Sequence, residues 1–460
     1  MPALMAASDL IVLSICLYLA CLLRVFANQW FPISIDTSVY AGISAAVVII
    51  PIAYYLLGMY PGYGLSEVDR LRRQVQVTAL VFSSLLVWDY LALDGSWSRG
   101  ILLATWILAT VSIPVSCSLF RNACLRRNIW GTPVAIVGAG KAGENVIGLL
   151  RADRKLGFIP TAVLDVDPAL KNSLVSEVPV LGTPEEAYRL AGAIKTCAVA
   201  MPDLGAEKLA ELSARLPFPQ IVIIPDLRGL QSAWVTARDI GGVLGIEVKK
   251  NLLLKHNRLV KRVVEVALCL PLLLVSLPIL ALLSTIIFVV SPGKPFYAQR
   301  REGADGRDFH MYKLRSMYPD AEERLEQHLT EYPEQRDEWQ RRFKLCDDPR
   351  VLPFIGNFIR KSSLDELPQI LNVLRGEMSL VGPRPFPFYH LDCYEPEFRA
   401  FRQSVPPGLT GLWQVEVRSD GEMEDQILHD SYYIRNWSFW LDILILFKTV
   451  AVVVSGKGAR

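Results

Sequence analysis

Two adjacent carboxylates, Asp365 and Glu366, follow a pair of basic residues in the segment 360–372. Ser363 stands three residues before Glu366, which is the spacing of a helix-capping box, and a helix dipole favours acids at such a position. On spacing alone, a structural role therefore fits both acids. A chemical role is the alternative, because paired carboxylates can hold a divalent metal beside a phosphate.

Basic residues and a stiff turn accompany these acids along the sequence. The turn is Val381-Gly-Pro-Arg384-Pro385, whose two prolines restrict the backbone. Arginine side chains fixed at such a turn are suited to charge-assisted hydrogen bonds with an anionic group. The cations that flank the turn and the acids are Lys313, Arg315, Arg350, Arg360 and Arg384. Paired acids beside these cations predict a phosphate site with a metal.

A glycine-rich loop elsewhere in the chain is a second candidate site. The run Pro133-Val-Ala-Ile-Val predicts a buried strand, and Gly138, Gly140 and Gly143 then open a predicted helix. Asp165 follows at the distance of a dinucleotide fingerprint, in which the glycines admit a pyrophosphate and the acid binds a ribose. The alternative is that these glycines only permit close packing of strand and helix.

Four apolar stretches precede these residues in the chain. Each stretch is about as long as the 20 residues that a transmembrane helix needs. Three arginines follow the second stretch and three follow the fourth, whereas the other two loops hold one arginine between them. This bias predicts a four-helix bundle with both ends in the cytoplasm. The stretches are Leu10 to Asn28, Val39 to Gly58, Val77 to Leu93 and Ile101 to Phe120.

Another long apolar run, Val263 to Val290, has basic residues on both sides, among them Lys261 and Lys294. A spanning helix would place one basic flank outside, against the positive-inside bias. Pro271 and Pro278 lie within the run and remove backbone donors, which bends helices. We therefore expect a helix that enters the membrane, bends and returns to the same face. A tilted, kinked span is the alternative.

Composition sets limits on the class of protein. Hydrophobic residues make up 52% of the 460 residues, which is typical of a membrane protein with substantial soluble parts. The net charge of +2 gives no support to nucleic-acid binding. Eight scattered cysteines without a Cys-x-x-Cys pair indicate a reducing compartment, and the first apolar run lacks a cleavage pattern. The sequence leaves the formation of a homodimer open.

Six motifs follow one another along the C-terminal part: Tyr312-Lys-Leu-Arg-Ser-Met317, Asp347-Asp-Pro-Arg350, Ser363-Leu-Asp-Glu-Leu-Pro-Gln369, Val381-Gly-Pro-Arg-Pro385, Pro407-Gly-Leu-Thr-Gly-Leu-Trp-Gln414 and Asp430-Ser-Tyr-Tyr433. Through these motifs, the C-terminal part resembles the bacterial sugar transferase superfamily of monotopic phosphoglycosyl transferases. The resemblance covers the whole chain in the long form of the family, typified by undecaprenyl-phosphate galactose phosphotransferases. It implies a transmembrane domain at 1–130, a Rossmann-like α/β domain at 131–250 and an α/β catalytic domain at 251–460 whose re-entrant helix bends near Ser276-Leu-Pro278.

The resemblance implies a two-step reaction at the bacterial inner membrane, with the catalytic domain in the cytoplasm. Asp365 would attack the sugar-bearing phosphate of a UDP-sugar, and undecaprenyl phosphate would resolve the phosphosugar-aspartate. Glu366 would help to place Mg²⁺ or activate the lipid phosphate. Galactose or glucose is the expected sugar, in O-antigen, capsule or exopolysaccharide synthesis. The residues expected to bind substrate are Lys313, Arg315, Arg360, Arg384 and Asp430.

Two other functions stay open at this point. A membrane-anchored nucleotide-sugar dehydratase or epimerase would use the glycine-rich loop, but such enzymes need a Tyr-x-x-x-Lys pair, and no tyrosine in the sequence has a lysine four residues on. A non-enzymatic transporter or lipid-binding scaffold would use the four apolar helices. That alternative leaves the charged C-terminal motifs without a role.

Overall fold

The computed structural model describes residues 1–30, 38–92, 97–224, 235–240, 243–248, 251–333, 335–336, 348–417 and 423–455. The chain divides into two compact units, Met1–Arg228 and Gly229–Arg460. The first unit contains the predicted bundle and most of the predicted α/β domain. The predicted domain boundaries near residues 130 and 250 stay predictions.

Four helices open the first unit: α1 (Pro2–Ala27), α2 (Ser38–Leu56), α3 (Glu67–Ala92) and α4 (Arg99–Arg126). Within the described part of this unit, α1, α3 and α4 are long and apolar enough to span a membrane, whereas the apolar part of α2, Val47–Leu56, is shorter. A fourth helix of sufficient length and apolarity, His256–Val290, lies in the second unit. Leu13, Tyr54, Phe82 and Ile101 fill the core between the helices. The protein is a membrane protein.

The helices extend beyond the apolar stretches that predicted them. The third begins at Glu67, ten residues before the predicted start at Val77. Its first turn carries Glu67 and Asp69, which the positive end of the helix dipole favours. Hydropathy detects the apolar part of such a helix and misses its polar first turns.

A six-stranded sheet follows, in the order β3-β4-β2-β1-β5-β6. All neighbouring strands are parallel except β3 and β4. The central strand is buried from Val134 to Val137, which explains its unbroken apolar sequence. The strands are β1 (Thr132–Val137), β2 (Phe158–Leu164), β3 (Leu174–Val175), β4 (Val178–Gly182), β5 (Thr196–Val199) and β6 (Gln220–Ile223), and the helices are α5 (Lys141–Ala152) and α6 (Ala206–Arg215).

The second unit opens with an antiparallel pair, β7 (Val235–Ile240) and β8 (Val243–Val248). The long helix α7 then runs from Lys255 to Val290 and contains Pro271 and Pro278. The hydroxyl of Ser276 donates to the carbonyl of Leu273 at 2.8 Å. The carbonyl that loses its donor to Pro278 belongs to Leu274, so the serine bonds one residue earlier.

The rest of this unit consists of short elements around two small sheets. Strands β9 (Phe296–Glu302) and β10 (Asp308–Leu314) pair antiparallel, and β11 (Ser379–Val381) and β12 (Gly408–Thr410) pair parallel. The charged stretch from Ala321 to Lys344 is predicted by its sequence to be helical; the structure has a helix at Ala321–Glu331, and residues 337–347 lie outside the described part. The helices are α8 (Ala321–Glu331), α9 (Ile355–Lys361), α10 (Ile370–Arg375), α11 (Phe388–Leu391), α12 (Pro396–Gln403), α13 (Leu412–Glu416), α14 (Met423–Asn436) and α15 (Phe439–Ser455).

Candidate active site

Asp365 and Glu366 lie in the first turn of a short 3₁₀ helix, Leu364–Gln369, between α9 and α10. Ser363, directly before it, has a left-handed backbone conformation with φ 56° and ψ 20°. This conformation is uncommon for a residue with a Cβ atom and frequent at functional sites. The side chains of Asp365 and Glu366 are 14% and 21% exposed. Both carboxylates are therefore shielded but reachable.

Two cations from other elements converge on this acidic pair. Lys313, near the end of β10, donates from Nζ to Glu366 Oε1 at 2.9 Å, and the same nitrogen lies 3.8 Å from Asp365 Oδ2. Arg384, in the turn after β11, donates from Nη2 to Glu366 Oε1 at 3.3 Å. The structure thus brings Lys313 and Arg384 beside the two acids, and their predicted contact with substrate phosphates stays a prediction.

The capping-box interpretation of the same residues is wrong. Ser363 makes no side-chain capping hydrogen bond to the 3₁₀ helix. Glu366, which would bond back to the cap, directs its carboxylate at Lys313 and Arg384 instead. Two cations compete better for a carboxylate than a backbone N–H does.

The two carboxyl groups differ in their electrostatic surroundings. Burial raises the pKa of Asp365, the charge of Lys313 opposes this rise, and the charge of Glu366 adds to it. Burial acts in the same sense on Glu366, but Lys313 and Arg384 outweigh it and hold the pKa of Glu366 below its ordinary value. Perturbed carboxyl groups in contact with cations are typical of active sites.

The hydrogen bonds of the two acids differ as well. Within the described part of the chain, the Asp365 carboxylate receives no hydrogen bond, whereas Glu366 receives two. Arg360, in the last turn of α9, acts on Asp365 through its charge, which opposes part of the rise that burial causes in the pKa of that carboxyl. Asp365 is therefore the acid whose oxygen atoms are available to a substrate.

The turn that carries Arg384 is built by two strands in close contact. Gly382 N donates to Thr410 O at 2.9 Å, and Gly408 N donates to Pro383 O at 2.8 Å. A Cβ atom on Gly408 would lie 2.1 Å from Gly382 N, so only glycine permits this approach. The motifs at 381–385 and 407–414 thus form one structural feature.

Asp430 lies behind this turn rather than beside the acidic pair. Its Oδ2 accepts from Arg402 Nε at 2.9 Å, and Arg402 Nη2 donates to the backbone carbonyl of Arg384 at 2.6 Å. The predicted contact of Asp430 with substrate stays a prediction, since the structure connects it to the site through Arg402. Arg402 belongs to none of the motifs, and no signal in the sequence singles it out.

Arg315 contacts a different part of the molecule. Its Nη2 donates to the carbonyl of Ser291, at the end of α7, and Nη1 lies beside Gly293. Arg350 donates from Nε and Nη2 to Asp348, at 2.7 and 2.6 Å. Phosphate binding by Arg315 stays a prediction that the described contacts do not support.

Asn372 holds the strand of Lys313 against the helix that follows the acids. Asn372 is fully buried, and its Oδ1 accepts from Tyr312 N at 3.1 Å. Its Nδ2 donates to His310 O at 2.7 Å and to Glu377 Oε2 at 2.6 Å. These bonds connect β10 to α10, so they fix where Lys313 stands relative to Glu366.

Comparison with known proteins decides the family. The family model described as bacterial sugar transferase matches residues 256–456, and one described as a CoA-binding domain matches residues 55–208. A UDP-galactose-lipid carrier transferase of Erwinia amylovora is 35% identical over 86% of this chain and 82% of its own length. An undecaprenyl-phosphate galactose phosphotransferase of Salmonella typhimurium is 30% identical over 99% of this chain and 96% of its own.

The chain belongs to the bacterial sugar transferase family. A shorter relative matches less than half of this chain: the exopolysaccharide production protein ExoY of Sinorhizobium fredii is 38% identical over 43% of this chain and 87% of its own length. The segment shared with ExoY is about as long as the segment that the bacterial sugar transferase model matches. The latter segment contains Asp365 and Glu366 as well as Lys313 and Arg384.

The glycine-rich loop of this sugar transferase is bonded to its own chain. Asp165 Oδ2 accepts from Ala139 N at 2.6 Å, and Oδ1 accepts from Asp167 N at 2.9 Å. A Cβ atom on Gly143 would lie 1.9 Å from Gly138 O, so Gly143 permits close contact of helix and strand. These contacts suit the packing interpretation. Nucleotide binding by Gly138, Gly140, Gly143 and Asp165 stays a prediction.

The acidic pair of the sugar transferase has the donor chemistry for a magnesium ion. No group of three or more His, Cys, Asp or Glu side chains that could hold a metal occurs in the described part of the chain. Magnesium in phosphate-transfer sites needs only one or two carboxylates, because substrate phosphates and water complete its shell. Asp365 and Glu366 supply such oxygen donors.

Proposed function

We propose that this enzyme transfers hexose 1-phosphate from a UDP-sugar to undecaprenyl phosphate, through a covalent phosphosugar on Asp365. The observation that carries the proposal is the asymmetry of the acidic pair. Lys313 and Arg384 bind Glu366, while the oxygens of Asp365 receive no hydrogen bond among the described residues. Family membership and the names of the relatives support the overall reaction.

The reaction consists of two displacements at one phosphorus atom. A carboxylate oxygen of Asp365 attacks the sugar-bearing phosphorus, the bond from that phosphorus to the bridging oxygen breaks, and UMP leaves with the electron pair. An oxygen of undecaprenyl phosphate then attacks the same phosphorus and displaces the carboxylate. The products are undecaprenyl-diphosphate-sugar and the regenerated aspartate. Division into two displacements keeps the two anionic substrates apart in time.

The side chains around Asp365 have distinct tasks in this proposal. Lys313, Arg360 and Arg384 neutralise the phosphates, since their charges converge on the acidic pair. Glu366 keeps Lys313 and Arg384 in place through direct contacts. Asp365 and Glu366 would hold Mg²⁺, which when bound supplies further charge neutralisation of the diphosphate.

Galactose or glucose is the proposed sugar. The relatives include a UDP-glucose:undecaprenyl-phosphate glucose-1-phosphate transferase of Escherichia coli, 31% identical over 78% of this chain, besides the galactose enzymes. The exopolysaccharide relatives support a place at the first membrane step of O-antigen, capsule or exopolysaccharide synthesis. UDP-sugars are made in the cytoplasm, so the catalytic part would face the cytoplasm at the inner membrane.

Helix α7 is proposed to be re-entrant, and contacts at both of its ends support this. Near its start, Arg262 donates to Leu374 O at 2.7 Å, in the helix that follows the acids. Near its end, Leu283 and Ile287 pack in one cluster with Leu314, the residue after Lys313. A straight helix would separate residues 262 and 287 by roughly 37 Å. Contacts of both ends with the surroundings of one site favour a bend between them.

The middle of α7 has the surface expected of a membrane-inserted segment. Leu274 and Val275 are 69% and 65% exposed. Cysteines introduced at Lys255 and Lys294, with Cys393 replaced, should both be labelled only from the cytoplasmic side. Periplasmic labelling at position 294 would contradict the re-entrant topology.

The reaction itself is tested by UMP release over a panel of UDP-sugars, with purified protein and undecaprenyl phosphate. We expect UMP and a lipid-linked sugar diphosphate from UDP-galactose or UDP-glucose. Absence of UMP from every UDP-sugar would contradict the proposal and revive the scaffold alternative.

A further inference from the structure

Two buried cations hold the two ends of the turn that carries Arg384. Lys261, in the second turn of α7, donates from Nζ to the carbonyl of Val381 at 3.1 Å. Arg402, in α12, donates from Nη2 to the carbonyl of Arg384 at 2.6 Å. Both side chains are only 8% exposed. The turn is therefore bonded at its first and fourth residues by charged donors from two separate helices.

The cation at the first end has a complete set of partners. Lys261 Nζ lies 2.6 Å from Asp442 Oδ2 and 3.1 Å from Glu265 Oε1. The hydroxyl of Tyr433 lies within 2.8 Å of Val381 O and 2.9 Å of Asp442 Oδ1. Asp442 also accepts from the indole of Trp437 at 3.0 Å. The carbonyl of Val381 thus lies within hydrogen-bond distance of Lys261 Nζ, the Tyr433 hydroxyl and the Ser379 hydroxyl, and Asp442 holds Lys261 beside it.

The cation at the other end is fixed in a similar way. Arg402 donates from Nε to Asp430 at 2.9 Å, and its guanidinium lies over the rings of Phe386 and Tyr394, at 5.1 and 5.4 Å from the ring centres. Burial raises the pKa of Asp430, and Arg402 opposes this rise. The aromatic rings and Asp430 hold the side chain of Arg402 in the orientation in which Nη2 donates to the turn.

Stability alone is a poor explanation for two such clusters. Removing charges from water costs several kcal/mol per ion, and apolar residues of similar volume often serve a core equally well. A charged donor on a backbone carbonyl does, however, fix the position of that carbonyl. Arg384 contacts Glu366 from this turn at 3.3 Å, and a misplacement of about 1 Å at an active site can cost a hundredfold in rate.

We propose that Lys261 and Arg402 are positioning residues for phosphosugar transfer, which act by holding the Val381–Pro385 turn so that Arg384 reaches Glu366 and the sugar diphosphate. This inference rests on the proposed function. It assigns Asp430 and Asp442 as the partners that orient the two cations. It also connects the start of membrane helix α7 to the active site, because Lys261 belongs to that helix.

A double-mutant cycle in UMP release by the full-length protein tests the proposal. Lys261→Met and Arg402→Met should each lower kcat/KM by about ten- to a hundredfold, since each removes a charge-assisted hydrogen bond from the turn. In an Arg384→Ala background, each should cost less than about threefold more, because the side chain they position is absent. The same fold loss in both backgrounds would overturn the proposal.

Arg399→Met is the matched control. Arg399 bonds to Glu302 at 3.1 Å and to Asp392 at 2.8 Å, and it has no bond to the turn. Any loss it causes should be the same with and without Arg384. If a methionine variant does not accumulate in membranes, Asp430→Asn or Asp442→Asn takes its place under the same criterion. Failure of the proposed function would differ, since wild-type protein would then release no UMP.

Discussion

Two aspartates that the sequence indicates as candidate site residues, Asp165 and Asp365, have opposite surroundings in the structure. Asp165 is 8% exposed, and its two oxygens accept hydrogen bonds from Ala139 N and Asp167 N. Asp365 receives no hydrogen bond among the described residues, although Lys313 stands 3.8 Å away. A carboxylate whose lone pairs are used by its own backbone is a structural element. One that is near cations but unbonded is available for chemistry.

The cations of the two units also differ in where their charges are placed. In the first unit, Arg121 and Lys155 both pair with Glu67, at 2.8 and 3.1 Å, and tie α4 and the sheet domain to α3. In the second unit, Lys313 and Arg384 both contact Glu366, the neighbour of Asp365. Charges that pair between two elements of one unit fix how those elements are placed, whereas charges that converge on one acidic pair can also neutralise a phosphate.

Among the substitutions that test this difference between the two units, Asp365→Asn should have the largest effect on turnover. Asparagine keeps the shape of the side chain but does not form an acyl phosphate, so turnover should fall by a factor on the order of 10³ or more. The variant should stay folded and bind UDP-sugar, as measured by thermal unfolding with and without ligand. Turnover at a substantial fraction of the wild-type rate would remove Asp365 from the mechanism.

Lys313→Met and Arg384→Ala should have the next largest effects. Each removes a cation that contacts Glu366, and we expect kcat/KM for UDP-sugar to fall by about ten- to a hundredfold. Lys171→Met is the matched control in the first unit, because it removes a pair with Glu186 at 2.8 Å. Equal losses for Lys171→Met and Lys313→Met would contradict the assignment of the site to the second unit.

Removal of the first unit together with the β7–β8 pair should have a smaller effect. A protein that begins at Asn251 keeps every residue of the acidic pair and the turn, and its length resembles that of the matched ExoY relative. It should retain measurable UMP release when inserted in membranes. A folded, membrane-inserted truncation without any activity would show that the first unit contributes to catalysis.

Asp165→Asn should have the smallest effect on turnover. The change weakens two backbone contacts of the glycine-rich loop, so we expect a loss of about 1–3 kcal/mol in the free energy of unfolding. The rate of UMP release by the folded protein should change by less than about twofold. A large loss of activity without a loss of stability would favour a nucleotide-dependent role for the loop.

The sequence predicted the acidic pair, Lys313 and Arg384 as neighbours because each lies in a motif with its own chemistry. It predicted the four bundle helices and the first strand of the sheet from apolar runs. It could not choose between capping and catalysis for Glu366, because the spacing from Ser363 is the same in both. That choice needed the contacts of Glu366 with two cations from distant segments.

The sequence did not predict the two residues, Arg402 and Lys261, that hold the turn of Arg384 in place. Arg402 and Lys261 lie 18 residues after and 120 residues before the backbone carbonyls that they bind. Neither spacing follows a helix or strand period, and either side chain could be a surface cation by type. For Arg315, the motif suggested phosphate binding, whereas the described contact of its guanidinium is with the end of α7, and a role in phosphate binding stays a prediction.

The most direct test of the central claim is a single-turnover measurement with labelled UDP-sugar and no lipid acceptor. Wild-type protein should release about one UMP per active site and retain the labelled sugar phosphate on the peptide that contains Asp365. Undecaprenyl phosphate should then discharge the label as undecaprenyl-diphosphate-sugar, and Asp365→Asn should show neither step. Release of UDP as the first product, or a labelled peptide that lacks Asp365, would contradict the covalent mechanism.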